Sequence, residues 1–173
     1  MKIILKEYLA SLKERKELDS SVLPNLLAEI GLEVLNLPML GTRQYGVDIA
    51  AVGQVAGEDQ ERFLYLFCIK AGNISRNDWD GTPQSVRPEL DEIRDVYLRT
   101  CVASEHASLP IKICLCCGGD IEETVMANWA GYSHDHQTEK IKYERWSGDR
   151  LAELMMRSLL ARELLEEEPR RNF

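Results

Sequence analysis

A run that is apolar apart from Lys112, LPIKICLCC at positions 109–117, strongly limits the folds open to this chain. A strand with one face in water alternates apolar and polar side chains, whereas this run is apolar on both faces. Such a strand is typical of a parallel sheet covered by helices. Amphipathic helical patterns precede and follow the run. The sequence therefore predicts an α/β fold with a central mixed sheet flanked by helices.

The periodicity of the apolar residues gives the element order α-α-β-β-β-α-β-α-β-α in a single domain. The predicted elements are helices over 2–17 and from Ser20 or Ser21 to Gly31, strands over 32–38, 43–53 and 62–72, a helix over 83–100, the strand LPIKICLCC, a helix from Asp120, the strand EKIKYERW and a helix from Ser147. The polar segment between the third strand and the 83–100 helix is predicted to be a loop.

The helix over 83–100 carries its own start signal. Thr82 and Pro83 predict a cap followed by a first-position proline. Pro88 should kink this helix or delay its start. Its predicted core-facing residues are Val86, Leu90, Ile93 and Tyr97.

Charge and hydropathy exclude several classes of protein. No apolar run approaches the roughly 20 residues of a membrane-spanning helix, and the charged N-terminus lacks the apolar segment of a signal peptide. The sequence therefore predicts a cytoplasmic protein that does not bind membranes. The net charge of −8 argues against strong autonomous DNA binding. The net charge does not exclude a local basic patch, which would be formed by Arg76, Arg87, Arg94 and Arg99.

The cysteines and aromatic residues give only weak functional signals. The CxCC spacing at 114–117 is not a usual zinc pattern, so buried, reduced thiols are predicted. The HDH triplet at 134–136 is interpreted as a polar loop rather than a metal site. Trp79 and Trp146 are predicted to pack against the sheet edge rather than to stack on bases.

Asp48 and Lys70 are charged residues on strand faces that should be buried. Side chains alternate along a strand, so Val47 and Ile49 should point one way and Asp48 the other. On the next strand Cys68 and Lys70 share a face, and a hairpin would bring Asp48 close to both. A lone buried charge is expensive unless it is paired or used. The two charges therefore predict a hidden ion pair between Asp48 and Lys70, two charges at strand ends that face water, or a functional site.

This arrangement resembles the core of the PD-(D/E)xK nuclease superfamily, and most closely its Mrr-like, type IV restriction branch. There a Gly-Val-Asp-Ile strand precedes a strand that ends in an acid or Gln, any residue, and Lys. The matching positions here are GVDI at 46–49 and Cys68-Ile69-Lys70. The segments LPNLLAEIGLEVL, NDWDGTPQSVRPELDEI, LPIKICLCCGGD and WSGDRLAEL are also similar to the N-terminal nuclease domain of antiviral STAND-type NTPases.

The resemblance covers nearly the whole chain and implies one Mrr-like nuclease domain over 1–173. In the STAND-type proteins an ATPase core and a sensor follow such a domain. No P-loop GxxxxGK[ST] occurs in this sequence. The resemblance therefore implies the N-terminal fragment of a larger protein, whose partners are its own ATPase and sensor domains.

The resemblance also implies a Mg²⁺- or Mn²⁺-dependent DNA endonuclease that acts in antiphage defence and is activated by forming a homo-oligomer. Asp48 and the main-chain carbonyl of Ile69 would hold the metal. Lys70 would stabilise developing negative charge or orient the attacking water. Cys68 fills the remaining catalytic position. Gln84 and Arg87 would contact the nucleic-acid backbone.

Cys68 departs from the family pattern, because a thiol is a poor ligand for Mg²⁺. Either a carboxylate from elsewhere replaces the missing acid, or the domain is a catalytically inactive nucleic-acid-binding or scaffolding domain. A nucleophilic role for Cys68 is not favoured, since an apolar strand raises the pKa of a thiol. A repair or Holliday-junction nuclease that works alone is a further alternative, which the acidic charge disfavours. The candidate carboxylates are Glu17, Asp19, Glu29, Asp91 and Glu92.

Overall fold

A central mixed sheet organises the protein. The computed structural model describes residues 1–12, 17–36 and 45–171. Within these ranges the sheet has five strands in the order β1-β2-β3-β4-β5. The first three form an antiparallel meander, and β4 and β5 continue the sheet parallel to β3. The strands are β1 (Leu32–Asn36), β2 (Ile49–Gly53), β3 (Phe63–Lys70), β4 (Ile111–Cys117) and β5 (Ile141–Trp146).

Helices cover both faces of this sheet, and the predicted fold class is therefore confirmed. The helices are α1 (Lys2–Ser11), α2 (Leu23–Glu29), α3 (Arg76–Asp80), α4 (Val86–Glu92), α5 (Leu98–Thr100), α6 (Glu123–His136) and α7 (Gly148–Arg171), with π-helical segments at Leu18–Val22 and Ile93–Tyr97 and a 3₁₀ turn at Ser104–His106. Apolar residues of α1, α2 and α7 pack on one face, and those of α3, α4 and α6 pack on the other. Among the described residues, no helix is long and apolar enough to cross a membrane.

Alternate side chains of β3 lie in the two cores, as the alternation in the sequence predicts. Tyr65, Phe67 and Ile69 lie in the core beneath α1, α2 and α7. Leu66 and Cys68 lie in the opposite core, against α3, α4 and α6. This follows from the period-2 alternation of side chains in a strand. β4 is parallel to both of its neighbours and buried on both faces, which explains its apolar composition.

The predicted alternation fails just before β2. Val47 packs in the same core as Ala50 and not with Ile49. β2 begins only at Ile49, and Gly46 has a φ of 85°. The chain therefore enters the strand through a turn, and the period-2 rule does not extend back to Val47.

The helix predicted over 83–100 begins later and is not one α-helix. α4 starts after Ser85, so the predicted start at Thr82 and Pro83 is wrong. Pro88 lies in the first turn, where its missing N–H costs no hydrogen bond, which agrees with the expected delay. The four predicted core residues, Val86, Leu90, Ile93 and Tyr97, are all buried.

The preceding segment is not simply a loop. It contains α3, whose first turn is closed by a capping box between Ser75 and Asp78.

Two further helix boundaries differ from prediction. The N-terminal helix ends at Ser11 rather than 17, and residues 13–16 lie outside the described residues. The second helix has no cap at Ser20 or Ser21, because the π-helical segment runs directly into α2. Gly31 ends it with a φ of 107°, as predicted.

The later elements keep their predicted type with shifted ends. α6 begins after Glu122 rather than at Asp120. The HDH triplet at 134–136 is the last turn of α6 and not a loop. β1 ends at Asn36, and the predicted strand residues 37–38 and 43–44 lie outside the described residues.

Candidate active site

Asp48 lies where β2 meets β3. Its backbone N–H donates to the carbonyl of Phe67 at 2.8 Å, and its Oδ2 accepts the N–H of Ile69 at 2.7 Å. The carboxylate thus extends the ladder of hydrogen bonds between the two strands by one step. These bonds fix the orientation of a side chain that is only 2% exposed.

A second carboxylate, that of Glu89, reaches the same place from α4. Glu89 is 4% exposed, and its Oε2 lies 3.0 Å from the Sγ of Cys68. Ligand atoms of Asp48, Cys68 and Glu89 all lie within 4.8 Å of one another. A carboxylate from outside the strand therefore lies beside Cys68.

The cluster of ligand atoms found among the described residues contains Glu89 and none of the five acids proposed from the sequence. Glu29 accepts a hydrogen bond from Ser158 and pairs with Arg162, Asp91 accepts one from Tyr132, Glu17 and Glu92 are exposed, and Asp19 is buried in the π-helical segment before α2.

The sequence did contain a signal for Glu89. It lies three residues after Val86 and four before Ile93, inside the apolar stripe that buries α4. Asp91 and Glu92 lie off that stripe. An acid at a core-facing position of the helix is thus the feature that sequence reasoning missed.

Lys70 joins the cluster at the end of β3. Its Nζ lies 3.0 Å from Oε2 of Glu89 and donates to the main-chain carbonyl of Gln84 at 2.7 Å. The ammonium is therefore anchored both to the buried acid and to the segment that leads into α4. A cation and two carboxylates meet at one end of the β2–β3 hairpin.

Burial controls the protonation of this cluster. It raises the pKa of Glu89, and the nearby charge of Asp48 adds to that rise, while Lys70 and the Cys68 thiol oppose it. Burial also raises the pKa of Cys68 well above its usual value, with Glu89 adding to the effect. Cys68 is therefore a neutral thiol that donates a hydrogen bond to Glu89.

Gly46 lets the chain ahead of Asp48 pass directly against α4. A Cβ at this position would collide with the main-chain carbonyl oxygen of Glu89 and lie 3.1 Å from the side chain of Ile93. The backbone is also in the left-handed region that favours glycine. Any side chain here would push α4 away from Asp48.

The donor set fits a hard divalent cation such as Mg²⁺. Asp48 and Glu89 offer carboxylate oxygens, which Mg²⁺ prefers. The N–H of Ile69 faces Asp48, and the N–H and C=O of one strand residue lie on the same edge, so the Ile69 carbonyl belongs to this edge as well. The neutral thiol of Cys68 is not a ligand for such an ion.

The residues predicted to contact nucleic acid lie nearby on the surface. Gln84 and Arg87 are both exposed, at the start of α4. The wider basic patch is partly neutralised, because Arg76 pairs with Asp80 and Arg94 pairs with Asp91 and Asp95. Trp79 and Trp146 are buried, as predicted, and all five cysteines are free thiols.

Comparisons with known proteins give one similar structure. No family model matches the chain, and no curated protein matches it. The chain is similar to the MspJI restriction endonuclease solved in complex with a 27-mer oligonucleotide, with 17% identity and a TM-score of 0.39. The match covers 90% of this chain and 30% of that one, so the chain spans under a third of that protein's length.

Proposed function

We propose that this chain is a metal-dependent DNA endonuclease domain of the PD-(D/E)xK type, in the Mrr-like branch. The observation that supports the proposal is the convergence of Asp48, Glu89 and Lys70 at one end of the β2–β3 hairpin. In this proposal Glu89 replaces the acid that the family places at position 68.

Each residue has a defined task in phosphodiester hydrolysis. A bound Mg²⁺ or Mn²⁺ supplies an activated water and offsets negative charge on the phosphate. Asp48 and Glu89 would hold that ion, together with the carbonyl of Ile69. Lys70 already contacts Glu89, so its ammonium can stabilise the negative charge that develops on the phosphate oxygens. Cys68 holds the Glu89 carboxylate in place through its hydrogen bond.

The surface charge favours an effector that works in an assembly. A chain of net charge −8 gains little counterion release on a polyanion. Neighbouring copies could share one duplex and together hold it more tightly. We therefore propose an antiphage effector domain, activated by self-association within a longer chain that carries ATPase and sensor domains. Gln84 and Arg87, exposed beside the site, would contact the DNA backbone.

The test compares DNA cleavage by the wild type and by Asp48→Asn and Lys70→Ala variants. Supercoiled plasmid is incubated with Mg²⁺ or Mn²⁺ and the chain, alone and fused to a coiled coil that forces self-association. Each variant should lose at least about a thousandfold in rate, or about 4 kcal/mol of transition-state stabilisation. Glu92→Gln, which changes an exposed acid on the helix that carries Glu89, is the control and should cleave like the wild type.

Two results would contradict the proposal. Equal cleavage by the wild type and Asp48→Asn would mean that another site does the chemistry. If the self-associated wild type binds the metal and DNA but cuts nothing, the alternative of a catalytically inactive nucleic-acid-binding or scaffolding domain takes its place.

A further inference from the structure

We infer that Asp48, Cys68 and Glu89 form a binding site for a thiophilic divalent cation, the class that contains Zn²⁺, Co²⁺ and Cd²⁺. The inference concerns binding alone and does not depend on the proposed hydrolysis. It depends on Cys68, the side chain of the cluster that an ion with a preference for oxygen ligands, such as Mg²⁺, does not bind.

The geometry is close to that of a tetrahedral site. One sulfur and one oxygen from each carboxylate lie within 4.8 Å of one another, and the Cys68 Sγ to Glu89 Oε2 distance is 3.0 Å. With metal–sulfur and metal–oxygen bonds of about 2.3 and 2.0 Å, sulfur and oxygen ligands sit about 3.5 Å apart. Small side-chain shifts reach that spacing. Three protein ligands leave the fourth position open for water.

Binding of such an ion also accounts for the thiol proton. As the sulfur–metal bond forms, the S–H bond breaks and its proton goes to solvent, so that a thiolate and two carboxylates hold the ion.

Ligand chemistry separates the two classes of metal. Thiolates select softer ions, whereas carboxylate, carbonyl and water ligands suit Mg²⁺. An acid at position 68, as in the family pattern, would give an all-oxygen set. Cys68 therefore determines which class of ion the cluster holds more tightly.

Co²⁺ provides the probe because its spectrum reports both the ligand and the geometry. Titration of the 173-residue chain should give a near-ultraviolet thiolate-to-cobalt charge-transfer band and visible tetrahedral bands that saturate at one equivalent. Cys68→Ser should remove the charge-transfer band and weaken Co²⁺ binding about 10- to 100-fold. The serine hydroxyl can still donate to Glu89, so Mg²⁺ affinity should change by about twofold or less.

Two further variants make the result specific. Cys101→Ser removes a partly exposed thiol outside the cluster and should leave the band unchanged. Cys68→Ala repeats the loss of sulfur without a new polar group, and circular dichroism checks that each variant is folded. A band that persists in both Cys68 variants, or Co²⁺ that equimolar Mg²⁺ displaces, would overturn the inference. The measurement is Co²⁺ binding and not DNA cleavage. A chain that cuts no DNA can therefore support the inference, and an active nuclease can contradict it.

Discussion

Two lysine–carboxylate pairs in this protein are alike in burial and distance but differ in what surrounds them. Lys70 pairs with Glu89 at 3.0 Å, with side-chain exposures of 17% and 5%. Lys112 pairs with Asp59 at 2.8 Å, with exposures of 15% and 2%. A buried ion pair by itself therefore does not distinguish a functional site from a structural one.

The Asp59 pair has the features of a structural contact. Its carboxylate also accepts the N–H of Val55 at 2.7 Å and the hydroxyl of Tyr65 at 2.6 Å. The ammonium of Lys112 lies 4.4 Å from the centre of the Phe63 ring. Burial works against the charge of Lys112, but its carboxylate partners outweigh that effect, so its pKa is raised. These contacts tie the loop between β2 and β3 to the sheet.

The Glu89 pair instead lies beside a second buried carboxylate, that of Asp48. Asp48 and Glu89 are both nearly inaccessible, and Lys70 is the cation that contacts Glu89. The second carboxylate near Lys112, that of Glu144, is 30% exposed and reaches solvent. Two buried carboxylates with oxygens within 4.8 Å of each other form a donor set for a cation. This contrast, rather than the ion pair, distinguishes the candidate site from the structural pair.

Removal of the Glu89 carboxylate should have the greatest effect. Glu89→Gln keeps the size of the side chain but removes a metal ligand, so cleavage should fall at least about a thousandfold. The melting temperature should not fall, because an acid whose pKa burial raises is costly to keep ionised. Plasmid cleavage and thermal unfolding measure the two quantities. If Glu89→Gln cuts DNA like the wild type, then Glu89 has a structural role, as Asp59 does.

The structural pair should show the opposite behaviour. Asp59→Asn leaves Lys112 without its nearest charge and should lower the free energy of unfolding by about 3 kcal/mol. Cleavage per folded molecule should stay unchanged. Urea denaturation measures the first quantity, and Asp149→Asn, at an exposed pair, is the control that should leave stability nearly unaltered. A folded Asp59→Asn protein that cannot cut DNA would mean that Asp59 also takes part in the chemistry.

A smaller effect should appear in the dependence of stability on pH. Because the pKa of Glu89 is raised in the folded state, its protonated form stabilises the fold below the ordinary carboxyl pKa. That contribution is lost as the pH rises through the folded pKa. The wild type should therefore lose melting temperature relative to Glu89→Gln as the pH rises above about 4.5. A constant difference across pH would mean that Glu89 titrates normally.

The smallest effect is expected from Cys68→Ser in the presence of Mg²⁺. The hydroxyl can replace the thiol as the donor to Glu89, so the cleavage rate should change by about threefold or less. Cys68→Ala removes the donor and serves as the comparison, with a larger loss expected. A complete loss of cleavage in Cys68→Ser would give the sulfur a direct part in the chemistry.

The sequence predicted those parts of the fold that depend on regular periodicity. The alternation along β3 and the apolar run of β4 determine which face each side chain occupies, so both cores could be predicted. Asp48 and Lys70 could be singled out because a charge on a buried strand is unusual. Val47 could not be placed, since the turn at Gly46 interrupts the period that the prediction uses.

Glu89 was missed for a related reason. The helix prediction treated the apolar residues of the stripe as the core and regarded acids on the helix as solvated. The start of α4 at Val86 rather than 83 is a local effect of Ser85 and Pro88. The π-helical segment at Ile93–Tyr97 has no signal in the periodicity. The partner of a residue in α4 depends on how the helix docks on the sheet, which one sequence does not specify.

The contact of Gly46 with the main chain of Glu89 limits the size of the metal ion that fits between Asp48 and Glu89. Side chains can rotate to suit a bound ion, but the two main chains are already in contact and cannot change their separation unless α4 moves. Mg²⁺ takes ligands at about 2.0–2.1 Å, whereas Ca²⁺ takes them at about 2.3–2.6 Å. The separation of Asp48 and Glu89 thus depends on Gly46, which has a hydrogen atom where alanine has a methyl group. Gly46→Ala would change the ion size that the site prefers without altering any charge.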